Sequence, residues 1–491
     1  MSFPFPTTYY LLPTTFFEMT PLAPYRQILQ NVRPVTLAGR VRAVRGLTVS
    51  VSDFAAPIGA GCRIHRGPSA IEARVIGFAG EETLIMPMGA TTGICRGDRV
   101  VCSADEQAVG VSPAMLGRVL NGFGRPIDGL GEIRIERRMP IWPEPISPMQ
   151  RRRITEALGT GVRVVDAVLT VGRGQRMGIL SGSGVGKSVL LGMIARYTAA
   201  DVIVIALIGE RGREVRDFIE KDLGPDGLRR AVVVVSTSDE PPLLRVQGGA
   251  VATSIAEYFR DQGKDVLLLT DSLSRLAMAQ RQIGLAAGEP PATKGYPPSV
   301  FNLLPQLLER CGRGQCGSIT GFYTVLVEGD DLADPVGDAA RAVTDGHICL
   351  SRAQANRGQF PAVDVLQSVS RVMVDVVDAD HQAAARKLLS LLALHDEVED
   401  MVSIGAYRTG ASIEHDLAIR MAPAVREMFA QRVDQSAPLA ETRRSLLDLQ
   451  ARAIAARQEL TRAARGAQAP LGTPRPAAAL RWQRPGTGTR R

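Results

Sequence analysis

Between residues 161 and 385, uninterrupted apolar runs alternate with helical stretches. The runs are Met177–Leu180, Val202–Ile208, Ala231–Val235, Val266–Leu269, Ile319–Val327 and Ile348–Leu350. Runs this apolar, without alternation of polar residues, predict strands buried on both faces of a largely parallel sheet. The texture differs upstream. Residues 25–105 hold short alternating runs, such as 35–44 and 47–51, punctuated by Gly and Pro. That pattern predicts a small β-barrel. Residues 106–160 carry turn-rich segments, Asn121 to Gly131 and Trp142-Pro-Glu-Pro, and read as the connection into the α/β domain. Residues 386–440 show Leu, Ala and Met at helical spacing.

The resulting plan is a flexible arm (1–24), a β-barrel (25–105), an α/β domain (106–385), a helical domain (386–440) and a basic tail (441–491). In the tail, Leu446, Leu449, Ala453, Ala456, Leu460 and Ala463 form an a/d-like seam. It reads either as part of a solvated extension or as a contact arm for a partner helix or an anionic membrane surface. Beyond Gly466 the tail has no acidic residue and reads as disordered.

Length and composition narrow the choices. The chain has 491 residues, 45% hydrophobic and 22% charged, which suits two to four globular domains and excludes a wholly disordered chain. No apolar run reaches the roughly 18 residues of a membrane span. The N-terminus lacks the basic start and uninterrupted apolar core of a signal peptide. The net charge of +8 is concentrated at the end: residues 443–491 contain 11 Arg and two acids. The body is therefore near neutral, which argues against a nucleic-acid cleft. Six scattered cysteines and five dispersed histidines suggest reduced structural thiols in a cytoplasmic protein, with no Cys/His metal site or His-based triad.

The chemistry concentrates at strand ends. Ser181-Gly182-Ser183-Gly184-Val185-Gly186-Lys187-Ser188 follows an apolar strand and opens a helix whose apolar face includes Leu190, Leu191 and Ile194, with Val189 beside the loop. Converging backbone N–H groups at such a loop cradle phosphates. Lys187 is placed for the β and γ phosphates of ATP, and Ser188 for Mg²⁺. Only five lysines occur against 53 arginines, so Lys187 is not compositional background. The full phosphate-loop pattern asks for Gly at 181; Ser is tolerable there if its φ is negative. Asp271 ends the strand Val266-Leu-Leu-Leu-Thr and is placed for the metal. Glu210 follows Val202–Ile208, where a carboxylate can polarise water. The nearby Arg211 and Arg213 either stabilise phosphate or pair with Glu214 and Asp217.

The segments 182–215, 288–301, 317–335 and 345–352 together resemble the hexameric ATPases related to rotary ATP synthases. Within them the chain is most similar to the flagellar branch of the type III export ATPases, over roughly residues 25–435. The resemblance implies a RecA-like P-loop ATPase domain between the barrel and a helical domain. It implies catalytic roles for Lys187, Glu210 and Arg211, and an arginine finger, Arg371, inserted into the next subunit's site. Residues 182–189 would hold the nucleotide, Phe360 would pack on adenine with Tyr407 in the same pocket, and Ser188 and Asp271 would serve Mg²⁺. Arg371 as an ordinary ion-pairing residue and Phe360 as plain core remain alternatives. The loop 284–298 resembles a segment facing a central stalk protein, or is an ordinary surface loop.

The implied protein is a homohexameric motor at the cytoplasmic face of the inner membrane, in peripheral contact with it. It would hydrolyse ATP to deliver and unfold flagellar export substrates. Implied partners are a stator-like regulator, a central stalk, the export gate and chaperone–substrate complexes, and no nucleic acid. The competing readings are the ATPase of a virulence-associated secretion system, a non-catalytic nucleotide-binding ring subunit, and an RNA-translocating hexamer resembling Rho. The last predicts a basic, aromatic-bearing barrel, of which residues 25–105 offer little.

Overall fold

The computed structural model describes residues 36–103, 107–327 and 334–467. The 1–24 arm and the tail beyond residue 467 lie outside the described residues. Six strands close the N-terminal barrel: β1 (Ala38–Arg45), β2 (Thr48–Ser52), β3 (Gly61–Arg66), β4 (Ser69–Ala79), β5 (Glu82–Pro87) and β6 (Arg99–Cys102). The order is β1-β2-β5-β4-β3-β6, and β6 pairs back to β1. Alternate inward residues, among them Val49, Val51, Ile64, Val75, Ile85 and Val100, fill its small core, as the two-residue period of a strand requires.

The central sheet contains β7 (Val119–Asn121), β8 (Arg176–Ser181), β9 (Val202–Ile208), β10 (Ala231–Ser236), β11 (Asp265–Asp271), β12 (Ser318–Leu326), β13 (Gly346–Leu350) and β14 (Val363–Ser370). Their spatial order is β14-β13-β8-β12-β11-β9-β10-β7. Neighbours are parallel from β13 to β7, whereas β14 runs antiparallel along one edge. Two of these eight strands were not foreseen. β7 lies within the segment read as a connection, and its three residues are too short for a periodic signal. β14 carries Asp364, Gln367 and Ser368 among its apolar residues, because one of its sides is an exposed edge.

The uninterrupted apolar runs have a simple cause. In β9, Val202, Val204, Ala206 and Ile208 enter one apolar layer, while Ile203, Ile205 and Leu207 enter the other. Both faces are covered, so neither can be polar. Helix α1 (Lys187–Tyr197) packs in the second layer; α2 (Pro242–Asp261) and α3 (Leu273–Ala286) pack in the first.

The C-terminal layer is helical: α4 (Ala379–Ser403), α5 (Ile413–Phe429) and α6 (Leu439–Ala467). Here the structure corrects both readings of the tail seam. Leu446, Leu449, Ala453 and Ala456 are buried in the same cluster as Leu388, Leu391, Leu417, Met421 and Val425. From Leu446 to Leu460 the seam faces the chain's own helices, and only Ala463 at its far end is exposed. Part of the basic charge is also used internally: Arg443 pairs with Asp378 at 2.8 Å, Arg457 with Glu414 at 2.7 Å, and Arg420 of α5 with Glu459 at 2.8 Å. Among the described residues no helix is long and apolar enough to cross a membrane.

Burial outweighs exposed ion pairing in holding α6. Leu446 is fully buried, so Leu446→Ala should cost about 2–5 kcal/mol, whereas Arg457→Ala should cost about 1 kcal/mol or less. Denaturant unfolding of both variants checks the ranking.

Candidate nucleotide-binding site

The parallel strands β8, β9 and β11 all end on one edge of the sheet, where ligands of such sheets collect. The loop after β8 turns sharply. Gly184 and Gly186 have φ of 76° and 93°, a conformation that a side chain would strain. Gly186 then caps α1, and Leu190 N donates to its carbonyl to close the first helical turn. Ser181 ends β8 buried and with negative φ, since among the described residues only Asp53 and Lys294 are non-glycine positions with positive φ. That backbone conformation accommodates Ser where the pattern asks for Gly. Ser183, Gly184, Ser188 and Val189 are exposed, while Gly182 and Val185 are buried.

Lys187 is the first residue of α1, and its Nζ lies 2.5 Å from Asp271 Oδ1 and 3.5 Å from Glu210 Oε1. Three residues separated widely in sequence thus form one charge cluster. Asp271, 3% exposed, also accepts from the Thr324 hydroxyl at 2.7 Å. Glu210, 7% exposed, receives Arg275 on its other oxygen at 2.8 Å. The same guanidinium donates to Gly209 O. Glu210 Oε1 has no hydrogen-bond partner among the described residues. A buried, unsatisfied acceptor is costly, and here it faces a loop shaped for a ligand.

Burial pushes the Glu210 carboxyl up to about 7, helped by a hydrogen bond with Glu214 and by the negative charge of Asp271; Lys187 and Arg275 oppose the rise. Raised carboxyls of this kind cluster at functional sites.

Sequence reading missed Arg275 and Thr324. A signal for Arg275 was present: it stands four residues after the strand-ending Asp271, in the first turn of α3. Ser272 caps that helix by accepting from Arg275 N at 3.3 Å. Thr324 lies within an apolar run, and only the pairing of neighbouring strands reveals its contact.

Arg211 is brought near this cluster in sequence but not in contact. It is exposed and pairs with Glu214 at 3.6 Å, while Arg213 pairs with Asp217 at 3.7 Å.

A cavity of about 1020 Å³ opens beside the loop, lined by Gly186, Val189, Met193, Tyr197, Phe360 and Gln431 among others. Phe360 is 46% exposed and sits close enough that a Cβ on Gly186 would lie 3.8 Å from its ring. The ring is therefore a wall of the cavity and not plain core. Tyr407 is not brought there. It lies between α4 and α5 and donates to Asp416 at 2.9 Å; a hydrogen bond to the first turn of α5, not the cavity, holds it.

Arg371 also lies away from this cluster. Its N donates to Asp345 O at 3.0 Å, and Asp345 in turn accepts from Arg176 N at 2.9 Å at the start of β8. Six residues of β8 separate that end from the phosphate loop, about 20 Å at roughly 3.3 Å per residue.

Family models match three parts of the chain. The ATP synthase alpha/beta family β-barrel domain matches residues 41–103, its nucleotide-binding domain 161–370, and the T3SS EscN ATPase C-terminal domain 377–448. The chain is 52% identical over 436 residues to the flagellum-specific ATP synthase of Treponema pallidum, covering 88% of this chain and 98% of that protein. It is 50% identical over 399 residues to a type 3 secretion system ATPase of Xanthomonas euvesicatoria, covering 81% and 90%. Among solved structures, the assembled ATPase EscN of the enteropathogenic E. coli type III secretion system superposes with a TM-score of 0.81 at 42% identity, over 84% of this chain and all of that one. EscN in complex with its central stalk EscO gives 0.78 at 41%, with the same coverage.

The raised Glu210 carboxyl has a stability consequence. Its folded value, about 7, exceeds its unfolded value of about 4.3, so ionisation opposes folding. The favourable, protonated state prevails at low pH and is lost as pH rises through about 7. Nucleotide-free Glu210→Gln should therefore gain melting temperature over the parent between about pH 5 and 7 and hold that gain above. Paired thermal unfolding curves across pH check this.

Proposed function

As a member of the flagellum-specific ATP synthase family, within the wider ATP synthase alpha/beta family, this chain is a P-loop ATPase, and we propose that it hydrolyses ATP to ADP and phosphate to drive flagellar type III protein export. The observation that carries this reading is the cluster of Lys187, Asp271 and Glu210 at the sheet edge, beside a loop shaped for phosphate. A virulence-associated secretion ATPase would share this geometry; the flagellum-specific relative is the more similar by identity and coverage.

Each residue has a role that follows from its place. The loop 182–188 offers backbone N–H groups and a helix N-terminus to the polyphosphate. Lys187, held between two carboxylates, would turn its ammonium to the β and γ phosphates. Val189 and Phe360 would flank the base in the adjoining cavity. Glu210 would orient and polarise the attacking water. Arg275 fixes the Glu210 carboxylate from the opposite side and leaves its other oxygen toward Lys187. Such positioning and charge stabilisation supply most of phosphoryl-transfer catalysis.

The residues also fit Mg²⁺. Asp271 already holds a cationic group, Ser188 supplies an exposed hydroxyl, and Mg²⁺ is commonly bound by one or two protein oxygens plus substrate phosphates. When bound, the ion would neutralise charge developing on the phosphates. Among the described residues no cluster of three or more His, Cys, Asp or Glu offers a dedicated cage, so metal and nucleotide should bind together.

The position of Arg371 supports assembly. A strand's length from its own phosphate loop, it suits a neighbouring copy's site. The working form would be a homohexamer in which each copy completes the next. EscN is solved in an assembled form and with a central stalk. A stalk in this ring, a stator-like regulator, the export gate and chaperone–substrate complexes would be its partners at the cytoplasmic face of the inner membrane.

Glu210→Gln should retain Mg²⁺-dependent ATP binding by calorimetry and lose more than about 100-fold in turnover, on the scale of a lost catalytic base. Undiminished hydrolysis would remove Glu210 from the chemistry. Arg371→Ala and Lys187→Ala should each be nearly inactive alone and recover partial activity when mixed. Rings proven by mass to contain both, yet inactive, would count against a finger acting between subunits.

A further inference from the structure

The base end of the cavity is walled by residues 430–435, a segment of irregular backbone between α5 and α6. Irregular backbone has no ladder of its own, so its position depends on outside hydrogen bonds. Three of these involve Gln431, only 5% exposed. Its N donates to Phe360 O at 3.0 Å, fixing the chain that carries the aromatic wall. Its Oε1 accepts from Arg163 N at 2.7 Å. Its Nε2 donates to Gly161 O at 2.8 Å and to Gln435 O at 2.7 Å. Both amide N–H groups are thus spent inside the protein. Gln431 borders the cavity but has no donor left for a ligand.

The turn that receives Gln431 is itself locked from two sides. Gly161 has φ of +74°, and a Cβ there would fall 2.3 Å from Tyr197 Cβ. Only glycine lets this turn lie flat against the last residue of α1. On its other side, the wholly buried Asp166 accepts from Thr160 N at 2.9 Å, Thr160 Oγ1 at 2.7 Å and Gly161 N at 3.0 Å. Tyr197 closes the circuit, since its hydroxyl donates to Val433 O at 2.9 Å, alongside Arg196 at 2.9 Å. The first residue of the same helix is Lys187. One rigid helix of eleven residues, about 16 Å long, therefore carries the phosphate contact at one end and the anchor of the base wall at the other.

Resting on the ATPase reading, we propose that Gln431 and Asp166 are positioning residues for nucleotide binding. Through the turn at Thr160–Gly161 they hold the 430–435 wall and Phe360 at a set distance from the phosphate loop. Neither touches the nucleotide. Their loss should loosen grip on the base and leave grip on the phosphates intact, a separation that general unfolding of the site would not produce.

The test measures ATP KM and kcat beside the inhibition constant of inorganic tripolyphosphate, which has no base. Gln431→Met keeps side-chain length and removes both donors. It should raise KM at least about ten-fold, lower kcat by much less, and leave tripolyphosphate inhibition within about two-fold of the parent. Tyr197→Phe, which removes one hydroxyl from the surface end of the circuit, should move KM the same way by about two- to five-fold; it serves where Gln431→Met does not fold. Asp166→Asn combined with Gln431→Met or with Tyr197→Phe should raise KM by less than the product of the single effects, as residues acting through one element do. An unchanged KM in the folded variants, a parallel loss of tripolyphosphate inhibition, or fully multiplicative effects would each overturn the proposal. A parent protein that hydrolyses no ATP would instead sink the ATPase reading on which it rests.

Discussion

One ammonium organises the active edge of this protein. Lys187 lies between Asp271 and Glu210, two carboxylates buried at the ends of different strands. Two acids so close in a poorly solvated place repel each other, and the cation between them offsets that repulsion. The arrangement holds charge that becomes useful when a polyphosphate arrives. The Lys187 ammonium then has a new anionic partner, and Asp271 is open to a divalent ion. Thr324 and Arg275 hold the two carboxylates from behind, so the site is set before anything binds.

Such a cluster needs a rigid support, and the sheet provides it. Strands buried on both faces cannot shift register without moving side chains between two packed layers. Their ends are therefore fixed relative to one another, although the phosphate loop and the Asp271 strand are not neighbours: β12 lies between them. The cavity for the base is built differently. Its walls come from irregular segments around Phe360 and Gln431, and their order rests on hydrogen bonds to a buried turn instead of on strand pairing. The two ends of the binding site thus draw on two kinds of stability, joined by helix α1. The helical layer adds the third part. Its last helix completes an apolar core shared with α4 and α5, so the segment shaping the base wall is clamped on both flanks.

Much of this was legible beforehand. The phosphate loop, Glu210 and Asp271 could be seen because each follows an uninterrupted apolar run, and a strand end is where chemistry collects in a parallel sheet. The barrel was legible from alternation. The seam of α6 was visible, but its destination was not: a two-turn repeat of Leu and Ala looks alike whether it meets a partner, a membrane or its own chain. Tyr407 was misplaced because an aromatic near the end of a helical hairpin carries no mark of the direction it faces. Arg275, Thr324 and Gln431 went unread for a related reason. Each acts through contacts with residues remote in the chain, from 53 residues for Thr324 and Asp271 to 270 for Gln431 and Gly161.

The chain's local order determined its elements, its loop geometry and the chemical type of its reactive groups, because apolar period, glycine placement and a lone lysine among arginines act over a few residues. Which carboxylates share that lysine, which turn holds the base wall, and where Arg371 sits were decided only when the sheet brought distant strand ends to one edge and sent the end of its antiparallel edge strand to the other. Hydrophobic burial selects such an arrangement over the whole molecule at once, so no window of sequence contains it.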